Sequence, residues 1–379
     1  MTLSDTLTPP APDTADNAVA TMPQEAYNTQ LFDDNLRLFS AMIDDILAAK
    51  KYIYLETYRF SDDAIGKRFR EALLRKAREG LDIRLLVDAY GTQANELFFA
   101  ELLAAGVKLR YFKKIKFFFS NTFARNHTRS HRKLLLIDDR ITYIGSSNLT
   151  SYALSWRDLN LRIQSPITHK FRGVFFQNYE QYKFYELVPF EKKKIISYHG
   201  YNILQDTPST YYQIIRDYTL NLIRNAKQEI LIETPYFLPG HKLRKALAEA
   251  AARGVSVKVY LPLHSDVPVI DLLRNKYLGP LYKQGVRWRL FRPDNLHAKC
   301  MLIDGKRFFM GSANFDYRSF RYQYEIMLYG ENTETMRLLQ AHIAETDRHC
   351  SDLDYEKWKN VPWLYRFAEW LITPFRRLF

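Results

Sequence analysis

The sequence contains one unusual pattern twice, with the same internal spacing. The first copy is His131-x-Lys133-x4-Asp138-x6-Gly145-Ser146-x-Asn148, and the second is His297-x-Lys299-x4-Asp304-x6-Gly311-Ser312-x-Asn314. The short His-x-Lys-x4-Asp core alone would be a weak signal, because such patterns occur by chance in unrelated proteins. Two copies, each extended by the same Gly-Ser-x-Asn, indicate a duplication. We therefore expect two similar half-domains that combine their motifs in one site.

Each copy of the pattern predicts a β-hairpin. An apolar run follows the lysine, a turn falls at the aspartate, and a second β-prone run leads to the glycine. The apolar runs cover residues 134–137 and 300–303, and the turns begin at Asp138 and Asp304. Side chains two positions apart on a strand share one face, so each histidine and its lysine point the same way. The hairpins thus bring the polar motif residues to one side.

Strand and helix patterns alternate in the same order in the two halves. The first half shows strands at 52–56 and 83–87 with helices at 36–47, 67–79 and 96–105, and the second shows strands at 229–233 and 255–261 with helices at 218–225 and 242–253. This predicts an α/β fold in which each half is a mixed β-sheet flanked by helices, with one active site at the interface. The expected organisation is a disordered tail (1–25), a first half-domain (26–165), a connector (166–209), a second half-domain (210–345) and a C-terminal membrane-associating helical segment (346–379).

The residue types of the motif suit the chemistry of a phosphoryl group. Lysine and asparagine donate hydrogen bonds to phosphate oxygens, while two imidazoles supply a nucleophile and a proton donor. A metal site fits less well, because a lysine beside each histidine repels a cation and no His/Cys cluster has ligand spacing. We predict neither a metal nor another cofactor. A purely structural role, reasonable for either histidine alone, is disfavoured by the duplication.

The two patterns resemble the HKD motifs of the phospholipase D superfamily, and the resemblance covers roughly residues 30–345. Segments 55–60 and 232–237 resemble its early strands. Segments 156–158, 296–299 and 312–320 are similar to the cardiolipin synthase branch in particular. The chain departs from that branch at Ser146, where glycine is common, and at Gln323, where asparagine is common. These departures bear on the acceptor substrate more than on the core chemistry.

The resemblance implies two phospholipase D-like half-domains and a phosphatidyltransferase that makes cardiolipin from phosphatidylglycerol through a covalent phosphohistidine. In this interpretation His131 is the nucleophile and His297 the proton donor. Phosphoryl charge is stabilised by Lys133, Lys299, Asn148 and Asn314, with help from Ser146 and Ser312. Asp138 and Asp304 complete the catalytic motifs by holding the hairpins rather than by touching substrate, and Asp158 is expected behind His131 with Glu325 behind His297.

Other functions stay open at this point. A phospholipase D-type hydrolase or a nuclease of the same superfamily would use the same motifs, and the second substrate could be phosphatidylglycerol, phosphatidylethanolamine, glycerol or water. A non-catalytic membrane-binding protein is disfavoured, because both His-Lys pairs are intact. The net charge of +13 implies an acidic partner, either anionic lipid or nucleic acid.

The C-terminal aromatic residues favour lipid, so we expect an anionic phospholipid substrate, a membrane surface as partner and no nucleic acid. No apolar stretch reaches about 18 residues, so we expect no spanning helix and therefore peripheral attachment. The resemblance to bacterial cardiolipin synthases implies the cytoplasmic side of a bacterial membrane. The candidate attachment segments are 111–119 and 363–379, and the latter places Trp363, Phe367 and Trp370 on one helical face. Packing of either segment on the protein's own core is the alternative. The sequence carries no signal of oligomeric state.

Overall fold

The computed structural model describes residues 28–113, 127–182, 195–209 and 212–374. Several predicted segments lie wholly or partly outside these residues. They are the tail at 1–25, most of the basic and aromatic stretch at 111–119, and the last five residues of the C-terminal segment.

The first half is built around a seven-stranded mixed sheet with strand order β1-β8-β7-β6-β2-β3-β4. Its strands are β1 (Asn28–Asp34), β2 (Tyr52–Thr57), β3 (Asp82–Asp88), β4 (Lys108–Phe112), β5 (Arg129–Ser130), β6 (Leu134–Ile137), β7 (Ile141–Gly145) and β8 (Arg157–Gln164). Its helices are α1 (Asn35–Ala48), α2 (Ala64–Arg78), α3 (Ala100–Ala104) and α4 (Thr168–Glu180), with a short 3-10 helix at Ser151–Ala153. Strand β5 is not part of this sheet and pairs with a strand of the second half.

The second half contains a larger mixed sheet with order β19-β14-β13-β11-β15-β16-β18-β10-β9. Its strands are β9 (Ile196–Tyr198), β10 (Tyr201–Asp206), β11 (Glu229–Glu233), β13 (Ser256–Pro262), β14 (Arg287–Phe291), β15 (Cys300–Ile303), β16 (Arg307–Gly311), β18 (Gln323–Gly330) and β19 (Cys350–Asp352), and β12 (Phe237–Leu238) pairs separately with β17 (Phe315–Asp316). Its helices are α5 (Ile214–Asn225), α6 (His241–Ala252), α7 (Pro268–Lys283), α8 (Tyr317–Tyr322), α9 (Thr333–Arg348), α10 (Tyr355–Lys359) and α11 (Trp363–Ile372).

The two sheets repeat one topology. The first-half order β1-β8-β7-β6-β2-β3-β4 corresponds to β10-β18-β16-β15-β11-β13-β14 in the second half. Strand β2 pairs in parallel with β3 and antiparallel with β6 of the first motif hairpin. Strand β11 pairs in the same way with β13 and with β15 of the second motif hairpin. The predicted α/β fold with two similar halves is confirmed.

The protein has three apolar cores, one in each half and one that the halves share. Helices α1 to α3 cover one face of the first sheet, and α5 to α7 cover one face of the second. The third core is shared, because α4 and α9 pack together with strands from both sheets. Phe171 and Phe175 of α4 and Leu339 and Ile343 of α9 are buried there. Burial of apolar area common to both sheets fixes how the halves dock.

The segments outside the predicted half-domains also contribute to the sheets. The stretch 166–209 contains α4 and the β9–β10 hairpin, and β10 lies beside β18 as β1 lies beside β8. The stretch 346–379 begins with the end of α9 and with β19, which pairs with β14, before α10 and α11 follow. Both stretches therefore include structural elements of the two halves.

Candidate active site

Each motif folds as a hairpin, β6–β7 in the first half and β15–β16 in the second, with its aspartate at the tip. Asp138 and Asp304 adopt positive φ angles of 56° and 54°, which aspartate tolerates better than most residues. The Asp138 carboxylate accepts hydrogen bonds from the backbone N–H groups of residues 50–52, at 2.6–3.0 Å. Asp304 accepts the equivalent bonds from residues 227–229. Both aspartates therefore anchor the hairpin tips to β2 and β11, at the end of each hairpin strand that lies away from the histidine.

The segment before each histidine pairs with a strand of the other half. Strand β5 runs parallel to the beginning of β18, and the His131 N–H donates to the Tyr324 carbonyl at 2.9 Å. In the reciprocal position Leu296 forms a parallel bridge with Arg157, and the His297 N–H donates to the Arg157 carbonyl at 2.8 Å. Each histidine is thus positioned by the opposite half-domain.

This exchange decides which carboxylate faces which histidine. Nδ1 of His131 lies 3.0 Å from Oε1 of Glu325, and Nδ1 of His297 lies 2.7 Å from Oδ1 of Asp158. The predicted pairs, Asp158 with His131 and Glu325 with His297, are therefore wrong. The physical reason is that β8 and β18 each pair with the histidine segment of the other half. With Nδ1 engaged, Nε2 of each ring is left for substrate.

The motif serines lie behind the histidines rather than on the surface of the cavity. Ser146 donates its hydroxyl proton to Asp158 at 2.6 Å, and Ser312 donates to Glu325. Both serine side chains are fully buried. Phosphate binding was predicted for these residues, but the structure places their hydroxyls on the carboxylates that orient the histidines.

The motif glycines allow this contact because neighbouring strands approach closely. A Cβ atom at Gly145 would lie 2.3 Å from the Leu159 carbonyl oxygen, and one at Gly311 would lie 2.3 Å from the Ile326 carbonyl oxygen. No larger residue fits without moving β8 or β18, which carry the two carboxylates. Glycine therefore supports the site through close packing.

The lysines hold the backbone at the histidines and keep donors available. Lys133 Nζ donates to the His131 carbonyl at 2.7 Å, and Lys299 Nζ donates to the His297 carbonyl at 2.6 Å. Among the described residues these are the hydrogen bonds of each ammonium group, which has three protons to donate. Lys133 Nζ also lies 5.6 Å from the ring centroid of Tyr58, which lines the central cavity. Burial lowers the pKa of Lys133 well below its ordinary value and that of Lys299 to about 8. Two buried amino groups therefore lie beside the histidines.

Burial and nearby charges shift the pKa values of the two histidines differently. Burial, reinforced by Lys133 and Lys299, lowers the pKa of His131 well below its ordinary value. Burial and Lys299 also lower the pKa of His297, but the Asp158 carboxylate opposes that shift. His297 consequently has a neighbour that stabilises its protonated form, as a proton donor requires.

The two carboxylates differ as well. Burial raises the pKa of Glu325 to about 7, although Lys133 opposes the shift. Burial alone would raise the pKa of Asp158 too, but His297 and Lys299 hold it below its ordinary value. Asp158 is therefore ionised at neutral pH, whereas Glu325 changes its protonation state near neutrality.

A cavity of about 280 Å³ opens onto both histidines and is lined by residues of both halves. Asn148 and Asn314, for which phosphate binding was predicted, line it, and the side-chain oxygen of each has no hydrogen-bond partner within the described residues. Further lining residues, to which the sequence had assigned no role, are Tyr58, Arg59, Trp156, Tyr236, Asp266 and Arg318. Alignment of the two halves could have found Arg59 and Tyr236, since both follow a Glu-Thr pair at a strand end, but no signal marked Asp266.

Two half-domains that share one site with paired histidines and lysines define a member of the phospholipase D superfamily. The family model described as "Cardiolipin synthase, PLD-like domain" matches residues 42–181 and 219–346, which is more than half of the chain. The chain belongs to this family.

Curated relatives agree with this assignment. The chain is 30% identical over 358 residues to a cardiolipin synthase of Clostridium perfringens (strain ATCC 13124), with 90% of this chain and 75% of the relative covered. It is 29% identical to the major cardiolipin synthase of Bacillus subtilis (strain 168), with 91% and 74% covered. Both relatives are bacterial enzymes.

Solved structures support the fold. The crystal structure of phosphatidylserine synthase from Haemophilus influenzae Rd KW20 matches 94% of this chain and 96% of its own with a TM-score of 0.74 at 14% identity. Polyphosphate kinase from Porphyromonas gingivalis matches 91% of this chain and 53% of its own with a TM-score of 0.58, also at 14% identity. At such identities the likeness concerns the fold alone.

Proposed function

We propose that this protein is a phosphatidyltransferase that makes cardiolipin from phosphatidylglycerol through a covalent phosphohistidine. The observation that carries the proposal is the reciprocal arrangement of His131 and His297. Both rings are oriented through Nδ1 by a carboxylate of the opposite half, and both line one cavity. Two differently tuned imidazoles on one cavity suit a reaction with a nucleophile and a separate proton donor.

In the first step Nε2 of neutral His131 attacks the phosphorus of phosphatidylglycerol. The new P–N bond forms as the bond from phosphorus to the head-group oxygen breaks, and protonated His297 gives its proton to that oxygen. Glycerol leaves, and the phosphatidyl group stays on His131. Lys133, Lys299 and the two asparagine amides stabilise the charge on the non-bridging oxygens.

In the second step a head-group hydroxyl of another phosphatidylglycerol takes the place of the departed glycerol. Neutral His297 removes its proton while the oxygen attacks phosphorus and the P–N bond breaks. Cardiolipin forms, His131 is restored as a neutral imidazole and His297 is protonated again. The covalent intermediate divides one difficult displacement into two easier ones.

Purified protein incubated with vesicles containing labelled phosphatidylglycerol tests this proposal. We expect equal amounts of cardiolipin and free glycerol, and the same rate after EDTA treatment because lysines and asparagines supply the charge stabilisation. Phosphatidic acid as the main product would instead identify a hydrolase. Cleavage of DNA with no lipid product would identify a nuclease.

We further propose that the enzyme binds the cytoplasmic surface of a bacterial membrane through α11. The aromatic and leucine side chains of this helix are exposed over 53–71% of their surface at Trp363, Leu364, Phe367, Trp370 and Leu371. Ile372 at its end packs on the core of the second half. The helix therefore docks at one end and presents an apolar surface elsewhere, a combination typical of interfacial helices.

The position of α11 supports this role. Ile270, in the first turn of α7, lines the central cavity, and α11 packs against α7. Asn275 and Lys276, in the middle of α7, lie against α11. Five residues of helix span about 8 Å, so the contact between α7 and α11 begins about 8 Å along α7 from a residue that lines the cavity. Within the described residues no helix is long and apolar enough to cross a bilayer.

Vesicle co-sedimentation tests the attachment. The triple variant Trp363→Ser, Phe367→Ser, Trp370→Ser should bind phosphatidylglycerol vesicles at least about tenfold more weakly, because it loses apolar area that enters the interface. High salt should weaken binding of the wild type without ending it, since basic residues add a screened attraction. Leu97→Ser, at an equally exposed leucine of the first half, is the control and should bind normally. Unchanged sedimentation of the triple variant, and of a chain truncated before Pro362, would place the anchor elsewhere.

A further inference from the structure

The cavity carries different side chains at equivalent positions of the two halves. Thr57 Oγ1 donates to the Arg59 carbonyl at 3.1 Å, and Thr234 Oγ1 donates to the Tyr236 carbonyl at 2.9 Å. Arg59 and Tyr236 therefore follow the same local turn after β2 and β11, and both line the cavity. The first half supplies a cation at this position and the second half supplies a phenol.

The phenol of Tyr236 belongs to a small polar cluster around Asp266. Its hydroxyl donates to Asp266 Oδ1 at 2.7 Å, and Nδ2 of Asn295 donates to the same oxygen at 3.1 Å. Asp266 lies in the loop between β13 and α7 and lines the cavity. Its other oxygen, Oδ2, makes no hydrogen bond within the described residues. Two donors thus fix the carboxylate through one oxygen and leave the second as an acceptor.

This cluster lies on the His297 side of the cavity. Asn295 is two residues before His297, and its carbonyl accepts a hydrogen bond from the Arg157 N–H at 3.0 Å, next to Asp158. Burial lowers the pKa of His297 overall, and Asp266 is among the negative groups that oppose the shift. Asp266 is therefore close to the ring that exchanges a proton with the leaving and entering alcohols.

We propose that Asp266, oriented by Tyr236 and Asn295, is the specificity site for that alcohol. This inference rests on the proposed phosphatidyl transfer. Asp266 Oδ2 accepts a hydrogen bond from a donor on the carbon adjacent to the one that bears the reacting oxygen. A glycerol head group has a hydroxyl there and ethanolamine has an ammonium group, whereas a simple alcohol has no donor. The same contact serves the leaving group in the first step and the acceptor in the second.

Acceptor competition with the full chain tests this inference. Vesicles of phosphatidylglycerol are mixed with labelled glycerol, ethanolamine or propan-1-ol, and kcat/KM is measured for transfer to each alcohol. The wild type should prefer glycerol to propan-1-ol. Asp266→Ala should reduce that preference about ten- to a hundredfold, which is the usual effect of one hydrogen bond to a charged group. Because any change in His297 affects both alcohols equally, the ratio isolates the contact.

Further variants test the charge of Asp266 and one of the two donors that orient it. Asp266→Asn keeps an acceptor oxygen but not the charge, so it should retain much of the preference for glycerol while losing transfer to ethanolamine. Tyr236→Phe removes one of the two bonds that orient Asp266 and should reduce the preference about threefold. Asp294→Asn removes an exposed charge but keeps a side-chain oxygen that can accept the Asn295 N–H, as Asp294 Oδ1 does at 2.7 Å, and it should leave the ratio unchanged.

The outcomes distinguish this inference from the proposed function. If the wild type transfers phosphatidyl groups but does not prefer glycerol to propan-1-ol, or if Asp266→Ala leaves that preference intact, the specificity site is wrong and the transferase is not. If the wild type transfers to no alcohol and makes no cardiolipin, the proposed function itself fails.

Discussion

The two halves of this protein have the same backbone topology and differ in side chains that set the properties of the active-site histidines. Strand order, motif hairpin, anchoring aspartate and carboxylate-bound serine are the same in both. The first half contributes Asp158 and the second contributes Glu325, and each acts on the histidine of the other. The duplication therefore sets the geometry of the site, and single substitutions give its two imidazoles different tasks.

The two carboxylates, Asp158 and Glu325, differ in the groups that surround them. Asp158 accepts hydrogen bonds from Ser146 and from Asn35 Nδ2 at 2.8 Å, which satisfy both of its oxygens. Burial dominates at Glu325, so its pKa is raised to about 7 although Lys133, Ser312 and Ser319 oppose the shift. A permanently charged partner suits a histidine that must carry a proton, and a weaker partner suits one that must stay neutral.

The largest expected effect follows from removing either histidine. His131→Ala and His297→Ala should each lower cardiolipin synthesis by at least about a hundred- to ten-thousandfold, because nucleophile and proton donor serve steps that the other ring cannot. Product formation from labelled phosphatidylglycerol measures this loss. Activity near wild type in either variant would contradict a shared site.

An activated substrate separates the two roles. With a nitrophenol leaving group, which needs no proton, His297→Ala should still form phosphatidyl-protein that survives denaturation in detergent at mildly alkaline pH, where the P–N bond is stable, and His131→Ala should form none. Labelled adduct in His131→Ala with none in His297→Ala would reverse the assignment of nucleophile and proton donor.

The second prediction compares the carboxylates. Asp158→Asn should slow synthesis by roughly a hundredfold, because His297 loses the charge that stabilises its imidazolium form. Glu325→Gln should slow it by only about tenfold, because the amide oxygen still accepts the Nδ1 proton of His131. Steady-state rates of both variants measure the difference, and equal losses would show that the two partners are equivalent.

The pH profile sharpens the same comparison. Ionised Glu325 accepts the His131 Nδ1 proton and leaves Nε2 free, whereas protonated Glu325 donates to Nδ1 and moves the ring proton to Nε2. Since the pKa of Glu325 is raised to about 7, formation of the phosphatidyl-enzyme from the nitrophenol substrate, which needs no proton from His297, should rise with pH through that value. The rise should be absent in Glu325→Gln and present in Asp158→Asn. Its persistence in Glu325→Gln would assign it to another group.

The smallest expected effect comes from changing the aspartates that anchor the hairpin tips. Here we expect the same result in both halves. Asp138→Asn and Asp304→Asn should each lower the free energy of unfolding by about 1–3 kcal/mol, because charge-assisted bonds to backbone N–H groups are lost. Denaturant unfolding measures this, with Asp44→Asn at an exposed position as the control. Normal turnover per folded molecule is expected, and a selective loss of turnover would indicate direct contact with substrate.

The local structure of the site was predictable because it depends on short-range patterns. The hairpins at 134–145 and 300–311 follow from apolar runs broken by a turn aspartate, and the alternating helices and strands fall close to their expected bounds. Several elements were not predicted, among them β1, α4, α7 and α9. The residues of β1 show no strict alternation of polar and apolar side chains, and the structure pairs this strand with β8, which is distant in sequence.

What the sequence could not show depends on how the halves dock. Glu325 and Asp158 were both recognised, but their partners were exchanged, because the exchange arises from the pairing of β5 with β18 and of Leu296 with Arg157. The serines were assigned to phosphate for the same reason. A side chain near a site can face the substrate or the groups behind it, and only tertiary packing decides which.

The reciprocal pairing of β5 with β18 and of Leu296 with Arg157 makes the site an all-or-none assembly. Each histidine takes its Nδ1 partner and its backbone N–H partner from the other half, so the orientation of both rings depends on one interface. Joining the halves in one chain makes their association intramolecular and independent of protein concentration. Opening of that interface would misalign nucleophile and proton donor together, so a partly open enzyme would catalyse neither step.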